Sequence, residues 1–305
     1  MHALIAYPLL GILSYIGLTV LLYALSLLAP SSLSTSMTFY ARLLASWFCL
    51  LLCATYGVIA SLFLRLVGRG GLSQWTVARA FKWSMYATTG VWFTIEGEEH
   101  LQTRPAVFVG NHQTELDVAA LGHIFAPYTS VTAKSSLKYI PFLGWFMVLS
   151  KSVFIDRANR ATARNAFDGA AEVMRKERQS VFIFPEGTRS YADSPMLLPF
   201  KKGAFHLAVK AQVPVVPVVV ENYAHILNVK RRTFKAGTIR ISVLPPIETT
   251  GLTPADVDDL TQRTRDAMLK EHMRMAQRHS DGSTLPTDTA ISSGVDSGKK
   301  VAAEL

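Results

Sequence analysis

Two long apolar runs open the chain, and they constrain its fold more than any other feature. Residues 9–28 form one run, broken by Pro30-Ser31-Ser32, and residues 43–64 form another, stopped by Arg65 and Arg69. Within residues 1–64 the only charged side chain is Arg42. About twenty helical residues, at about 1.5 Å each, cover the roughly 30 Å hydrocarbon core of a bilayer. The pattern predicts membrane-anchoring helices over residues 1–70, paired as a transmembrane hairpin and joined by the short Ser/Thr-rich segment 30–42. A signal peptide would need a basic start and a shorter apolar stretch than the first run. Arg65, Arg69, Arg79 and Lys82 follow the second run, and nothing basic precedes the first. The positive-inside rule therefore places the large C-terminal part in the cytoplasm. A re-entrant hairpin would put that part on the side to which the chain returns.

The charge distribution bears on partners. Net charge is +9, and residues 279–305 carry two Lys and four Asp/Glu, so everything before them carries +11. A basic body beside a hydrophobic anchor suits an anionic membrane surface or phosphorylated substrates. Nucleic acid is the competing partner for a basic chain, but no helix-turn-helix or aromatic RNA-binding signature is present. The two cysteines, Cys49 and Cys53, stand at helical i, i+4 spacing in the second apolar run. Without His or further Cys partners they predict neither a zinc site nor a disulfide framework.

Residues 71–90 mix Trp75, Phe81 and Trp83 with Arg79 and Lys82, which suits an interfacial amphipathic helix; core packing explains the same aromatics equally well. Strand-like apolar runs follow near 91–96, 106–109, 130–133, 152–155, 180–184, 213–220 and 238–244. Helical patterns lie at 118–125, 161–178, 204–211 and 256–275. This alternation predicts an α/β domain over residues 91–278, with a mostly parallel central sheet flanked by helices. The run 213–220 is valine apart from two prolines, so a buried central strand with incomplete pairing is expected. Residues 279–305, rich in Ser, Thr, Gly and Asp, have the composition of a disordered tail.

Chemistry concentrates at the predicted strand ends. Residues 106–109 empty through Gly110 into Asn111-His112, and Asp117 follows five residues after the histidine. On one helix two such side chains would diverge by about 140°. They can meet only if His112 lies in the loop and Asp117 in the first helical turn. A capping box, with Thr114 as cap and Asp117 as its acidic member, explains Asp117 equally well but leaves Asn111-His112 unexplained. Lys134, Asp156-Arg157 and Glu186-Gly-Thr-Arg-Ser190 also follow apolar β runs. In a parallel sheet these ends converge on one edge, where ligands of α/β folds bind. Several cations beside one candidate base suggest a phosphorylated substrate, since guanidinium donors match phosphate oxygens. A surface salt bridge, such as Glu186 with Arg189, is the plainer explanation for an arginine taken alone.

Four blocks now carry a resemblance. Asn111-His-Gln-Thr-Glu-Leu-Asp117, Val153-Phe-Ile-Asp-Arg157, Phe184-Pro-Glu-Gly-Thr-Arg-Ser190 and Val213-Pro-Val-Val-Pro-Val218 resemble, in order, the four motifs of the glycerolipid acyltransferases. The variants are most similar to those of the 1-acyl-sn-glycerol-3-phosphate acyltransferases. The resemblance implies acyl transfer to the sn-2 hydroxyl of lysophosphatidic acid. His112 would be the general base and Asp117 would orient it. Arg189, Lys134 and Arg157 would bind the substrate phosphate, with Glu186, Gly187 and Thr188 in the same loop system. Asn111, Gln113, Pro185, Ser190 and Pro214 would support the motifs. Acyl-CoA is the implied co-substrate, with acyl-carrier protein an open alternative, and neither a bound cofactor nor a metal is required. Oxyanion donors are expected among backbone N–H groups near Gln113. The implied partners are membrane lipid, lysophosphatidic acid and acyl-CoA, and the implied location in a eukaryote is the endoplasmic reticulum membrane. An acceptor such as glycerol 3-phosphate or another lysophospholipid, and a non-catalytic membrane scaffold, are the competing readings.

Overall fold

The computed structural model describes residues 2–156 and 158–280. Helix α1 (His2–Leu28) turns through Ala29-Pro30 into α2 (Ser31–Leu66). The segment 30–42, expected to connect two helices, is instead the first part of α2. Its hydroxyls do not interrupt the helix: Thr35 Oγ1 donates back to Ser31 O at 2.9 Å, and Ser34 Oγ donates to Ser26 O of α1 at 2.7 Å. Both helices are long and apolar enough to cross a membrane. One face of α2 is buried through Phe39, Ala45, Cys49, Cys53 and Gly57, while Trp47, Leu51, Leu52, Ile59 and Phe63 are exposed. The buried cysteines are separate thiols facing Thr88 and Ser84.

Helix α3 (Ser73–Thr89) divides its aromatics, Phe81 packing in the core and Trp83 standing exposed. The chain then runs through β1 (Val91–Glu96), β2 (Val107–Gly110), α4 (Asp117–Ile124), β3 (Thr129–Lys134), α5 (Leu143–Leu149) and β4 (Val153–Ile155). It continues through α6 (Arg160–Glu177), β5 (Ser180–Ile183), α7 (Gly203–Ala211) and β6 (Val215–Val220). A small hairpin, β7 (Leu227–Asn228) with β8 (Thr233–Phe234), precedes β9 (Gly237–Val243) and α8 (Val257–Ser280). The proposed tail falls outside the described residues from position 281 onward.

Seven strands form one sheet in the order β1-β9-β6-β2-β5-β3-β4, and every neighbouring pair is parallel except β6 with β9. Strands β2 to β6 therefore point the same way, with β1 and β9 reversed at one edge. Helices α2, α3 and α4 cover one face, where Phe81, Phe93, Phe108 and Leu116 pack. Helices α6, α7 and α8 cover the other, around Met174, Phe205, Leu260 and Met268. Strand β6 is central and wholly buried. Its Pro217 has no N–H to give and lies between the β9 pairing, which starts at Val218, and a separate bridge from Val215 to Ile247. The expected gap in pairing is thus on the β9 side.

Two histidines are buried on opposite faces of this sheet. His123 packs against Trp92 and Phe93, and His272 lies in α8 with neither ring nitrogen bonded. Burial holds each down to about pKa 4. An unfolded histidine titrates near 6.5, so the unfolded chain binds more protons between these values. Stability is therefore full above about pH 6.5 and is lost as pH falls toward 4, by at most about 1.4 kcal/mol per pH unit for each ring. Thermal unfolding of the detergent-solubilised protein should show a falling midpoint from pH 7 to pH 5. The substitution His272→Leu should flatten that fall; an unchanged slope would show that His272 does not couple to folding.

Candidate active site

The site grows from the C-terminal end of β2, whose four residues are all buried. Gly110 is required there because a Cβ would lie 2.6 Å from the Phe182 ring. Asn111 then clasps the neighbouring strand, its amide donating to Val220 O at 2.9 Å and accepting from Val220 N at 2.8 Å. Gln113 donates to the carbonyls of Val220 and Glu221. Between these two anchors His112 is turned out of the sheet, with its ring stacked on Phe184 at 4.1 Å.

His112 Nδ1 and Asp117 Oδ2 are 2.7 Å apart. The same oxygen accepts from Gln113 N at 2.6 Å and Thr114 N at 3.2 Å, and Oδ1 accepts from the Tyr223 hydroxyl at 2.6 Å. Every contact on this buried carboxylate comes from a donor, so the histidine proton belongs on Nδ1 and the lone pair on Nε2. Thr114 Oγ1 accepts from Leu116 N, but α4 begins at Asp117 with Leu116 at its cap position and no side-chain cap bond, so of the expected capping box only the Thr114 N to Asp117 contact forms. One carboxylate oxygen thus serves both the Thr114 backbone and the His112 ring.

Glu186, at the end of the adjacent β5, braces the other side of the loop. Its carboxylate accepts from His112 N at 2.7 Å and Leu198 N at 2.9 Å. Burial pushes its pKa up, and these two donors pull against that shift. With both oxygens taken by backbone, Glu186 supports the histidine loop and does not face a substrate phosphate. Gly187 adopts φ +70°, and a Cβ there would meet Lys201 Cε and Nζ at 2.9 Å. Pro185 is buried and accepts from Lys201 N, Thr188 is exposed, and Ser190 N donates to His112 O at 3.0 Å.

Several expected positions are redrawn. Arg189 pairs with Glu115 at 2.9 Å and not with Glu186, whose oxygens are already taken. Lys134 is exposed at the end of β3, on the same sheet edge as His112. Arg157 lies outside the described residues. Pro214 precedes the N-terminal end of β6 and its carbonyl accepts from Val107 N, so it sits at the far end of the sheet from the dyad. The N–H groups of His112, Gln113 and Thr114 are all bonded to Glu186, Asp117 or Tyr223. The expectation that N–H groups near Gln113 would serve as oxyanion donors therefore fails for these three.

Tyr223 was not visible from the motifs. It is fully buried just beyond β6, and its hydroxyl also accepts from Thr114 N at 3.1 Å. Burial, then the Asp117 charge, raises its pKa well above 10, so it remains a donor. Nothing in local spacing links it to a carboxylate 106 residues away.

A family model described as Acyltransferase matches residues 93–221. A Schizosaccharomyces pombe protein described as an uncharacterized acyltransferase is 46% identical over 78% of this chain and 85% of its own. The 1-acyl-sn-glycerol-3-phosphate acyltransferase of Saccharomyces cerevisiae is 43% identical over 71% of this chain and 72% of its own. The human enzyme of that name, form beta, is 39% identical over 80% and 87%. The crystal structure of a 1-acyl-sn-glycerophosphate acyltransferase from Thermotoga maritima superposes with a TM-score of 0.64. It covers 81% of this chain and 97% of that one at 23% identity, a likeness of fold.

Tyr223→Phe keeps the buried ring and removes the donor to Asp117. A hydrogen bond to a charged group is worth roughly 1.5–3 kcal/mol. Turnover should fall about tenfold or more with KM values nearly constant, and the acid limb of the rate profile should move to higher pH. Unchanged turnover would show that the hydroxyl only fills space.

Proposed function

Because the chain belongs to the acyltransferase family, among the enzymes that resemble 1-acyl-sn-glycerol-3-phosphate acyltransferases, we propose that it transfers a fatty acyl group from acyl-CoA to the sn-2 hydroxyl of lysophosphatidic acid, giving phosphatidic acid. The observation that carries this reading is the 2.7 Å contact between His112 Nδ1 and buried Asp117, set at a sheet edge that also carries Arg189 and Lys134. An alcohol is a poor nucleophile until its proton is removed. His112 Nε2 takes that proton as the hydroxyl oxygen attacks the thioester carbonyl. Asp117 holds the Nδ1 proton and stabilises the imidazolium without becoming protonated itself. As the tetrahedral intermediate collapses, the carbon–sulfur bond breaks and the imidazolium returns its proton to the departing thiolate. Attack is direct: among the described residues no serine or cysteine side chain is hydrogen bonded to His112, and the sequence has no Gly-x-Ser-x-Gly elbow. Arg189 and Lys134 bind the acceptor phosphate, and the motif that resembles the family's second block assigns Arg157 to the same role.

The membrane supplies both acyl chains. Exposed apolar residues on α1 and α2 lie on the same molecule as exposed Tyr139, Ile140, Phe142, Trp145 and Val148 around α5. We assign these surfaces to the lipid, with the catalytic domain on the cytoplasmic side, and in a eukaryotic cell to the endoplasmic reticulum. Burying them avoids drawing either substrate fully into water.

Membranes carrying the protein, given labelled acyl-CoA and a choice of acceptors, should place label in phosphatidate with lysophosphatidic acid and far less in products of glycerol 3-phosphate. No label in phosphatidate would overturn the assignment. His112→Ala should lower turnover by about two to four orders of magnitude at an unchanged unfolding midpoint. Arg189→Ala should raise the acceptor KM about tenfold or more, with little effect on the acyl-CoA KM; an equal rise for both substrates would contradict a role at the phosphate.

A further inference from the structure

Arg189 does not stand free at the sheet edge. Its Nη1 donates to Glu115 Oε1 at 2.9 Å, and the Tyr191 hydroxyl donates to the same oxygen at 2.6 Å. A guanidinium offers five donors in a planar fork. Glu115 engages this one through a single nitrogen, and Nε is buried without an acceptor. The three residues are held in register with the dyad. Ser190 N donates to His112 O, Tyr191 N donates to Gln113 O at 3.1 Å, and Glu115 lies in the turn between His112 and Asp117. Tyr191 holds φ +47°, a conformation that residues bearing side chains rarely adopt. Glu115 Oε1 thus marks an anion position that is fixed relative to the catalytic base.

We propose that Glu115 occupies the place of the acceptor phosphate in the free enzyme, and that Tyr191 joins Arg189 in binding that phosphate once Glu115 is displaced. The proposal rests on the functional reading above and adds to it a binding residue and a specificity device. A partly exposed ion pair of this kind shifts an equilibrium by no more than about fivefold, so displacement costs little. A phosphate monoester brings up to two charges and three oxygens, enough to fill the fork that Glu115 only touches. A phosphodiester brings one charge and competes less well. The placeholder therefore favours lysophosphatidic acid over lysophospholipids with a head group. The displaced Glu115 moves into solvent, to which it is already exposed.

The test compares the full-length wild type with Glu115→Gln and Tyr191→Phe in mixed micelles. Glu115→Gln should lower the KM for lysophosphatidic acid about three- to fivefold and narrow the preference over lysophosphatidylcholine. Tyr191→Phe should raise the same KM about fivefold or more. Neither should move the KM for acyl-CoA. Shifts of the same sign in both variants, as a shared structural strut would give, or an unchanged acceptor KM, would overturn the proposal. If the wild type makes no phosphatidate, the functional reading falls, and the anion site is judged alone by thermal shift with inorganic phosphate. Tighter binding in Glu115→Gln and weaker binding in Tyr191→Phe would support it, and equal binding in all three proteins would overturn it.

Discussion

The arrangement depends on one buried carboxylate. Asp117 receives the His112 imidazole, two consecutive backbone N–H groups and the Tyr223 hydroxyl. It thereby closes the loop leaving β2, opens α4 and fixes the orientation of the base. Each of these donors, left without an acceptor, would cost roughly 1–3 kcal/mol of desolvation. An amide in its place would offer one acceptor oxygen and bring two further donors into the same space. The need to satisfy the loop backbone and the need to orient the histidine thus select the same chemical group.

The surrounding contacts carry this constraint outward. On one side Asn111 and Gln113 are tied to Val220 and Glu221 at the end of β6. Glu221 accepts from Arg240 in β9 at 2.8 Å, and Arg240 reaches Met275 O in α8. On the other side Glu186 links the histidine backbone to Leu198, beyond β5. The base is consequently supported from both neighbouring strands, which suits a group that must keep its reach to a substrate hydroxyl.

The apolar helices are part of the same body. Arg79 of α3 donates to the carbonyls of Gly122, His123 and Phe125, closing the C-terminal end of α4, the helix that Asp117 begins. Helix α2 packs along α3, and Arg42, the one charge among its early residues, is hydrogen bonded to Phe234 O in the β8 strand. Arg42 is half-buried, and the carbonyl partner offsets part of the cost of desolvating its guanidinium. The anchor is therefore packed against the catalytic domain along much of α2.

Local chemistry made part of this legible in the amino-acid order. Alternating apolar runs set the strands, and His112 and Asp117 could meet only across a loop-to-helix junction, because helical geometry separates residues five apart. The convergence of Lys134, Asp156 and Glu186 at one edge followed from parallel strand direction. Other features needed the folded chain. Ser/Thr content in 30–42 suggested a loop, yet Thr35 bonds back within α2 and Ser34 bonds to α1. Pro214 belongs to a motif that ends near the site but lies at the opposite end of its strand. Tyr223 and the Glu115–Arg189–Tyr191 cluster join groups between 74 and 106 residues apart. Periodicity and spacing determine which residues a few positions apart can share a face, because backbone geometry repeats over that range. Which distant donor reaches a buried carboxylate is decided only when sheet order and packing bring the two together.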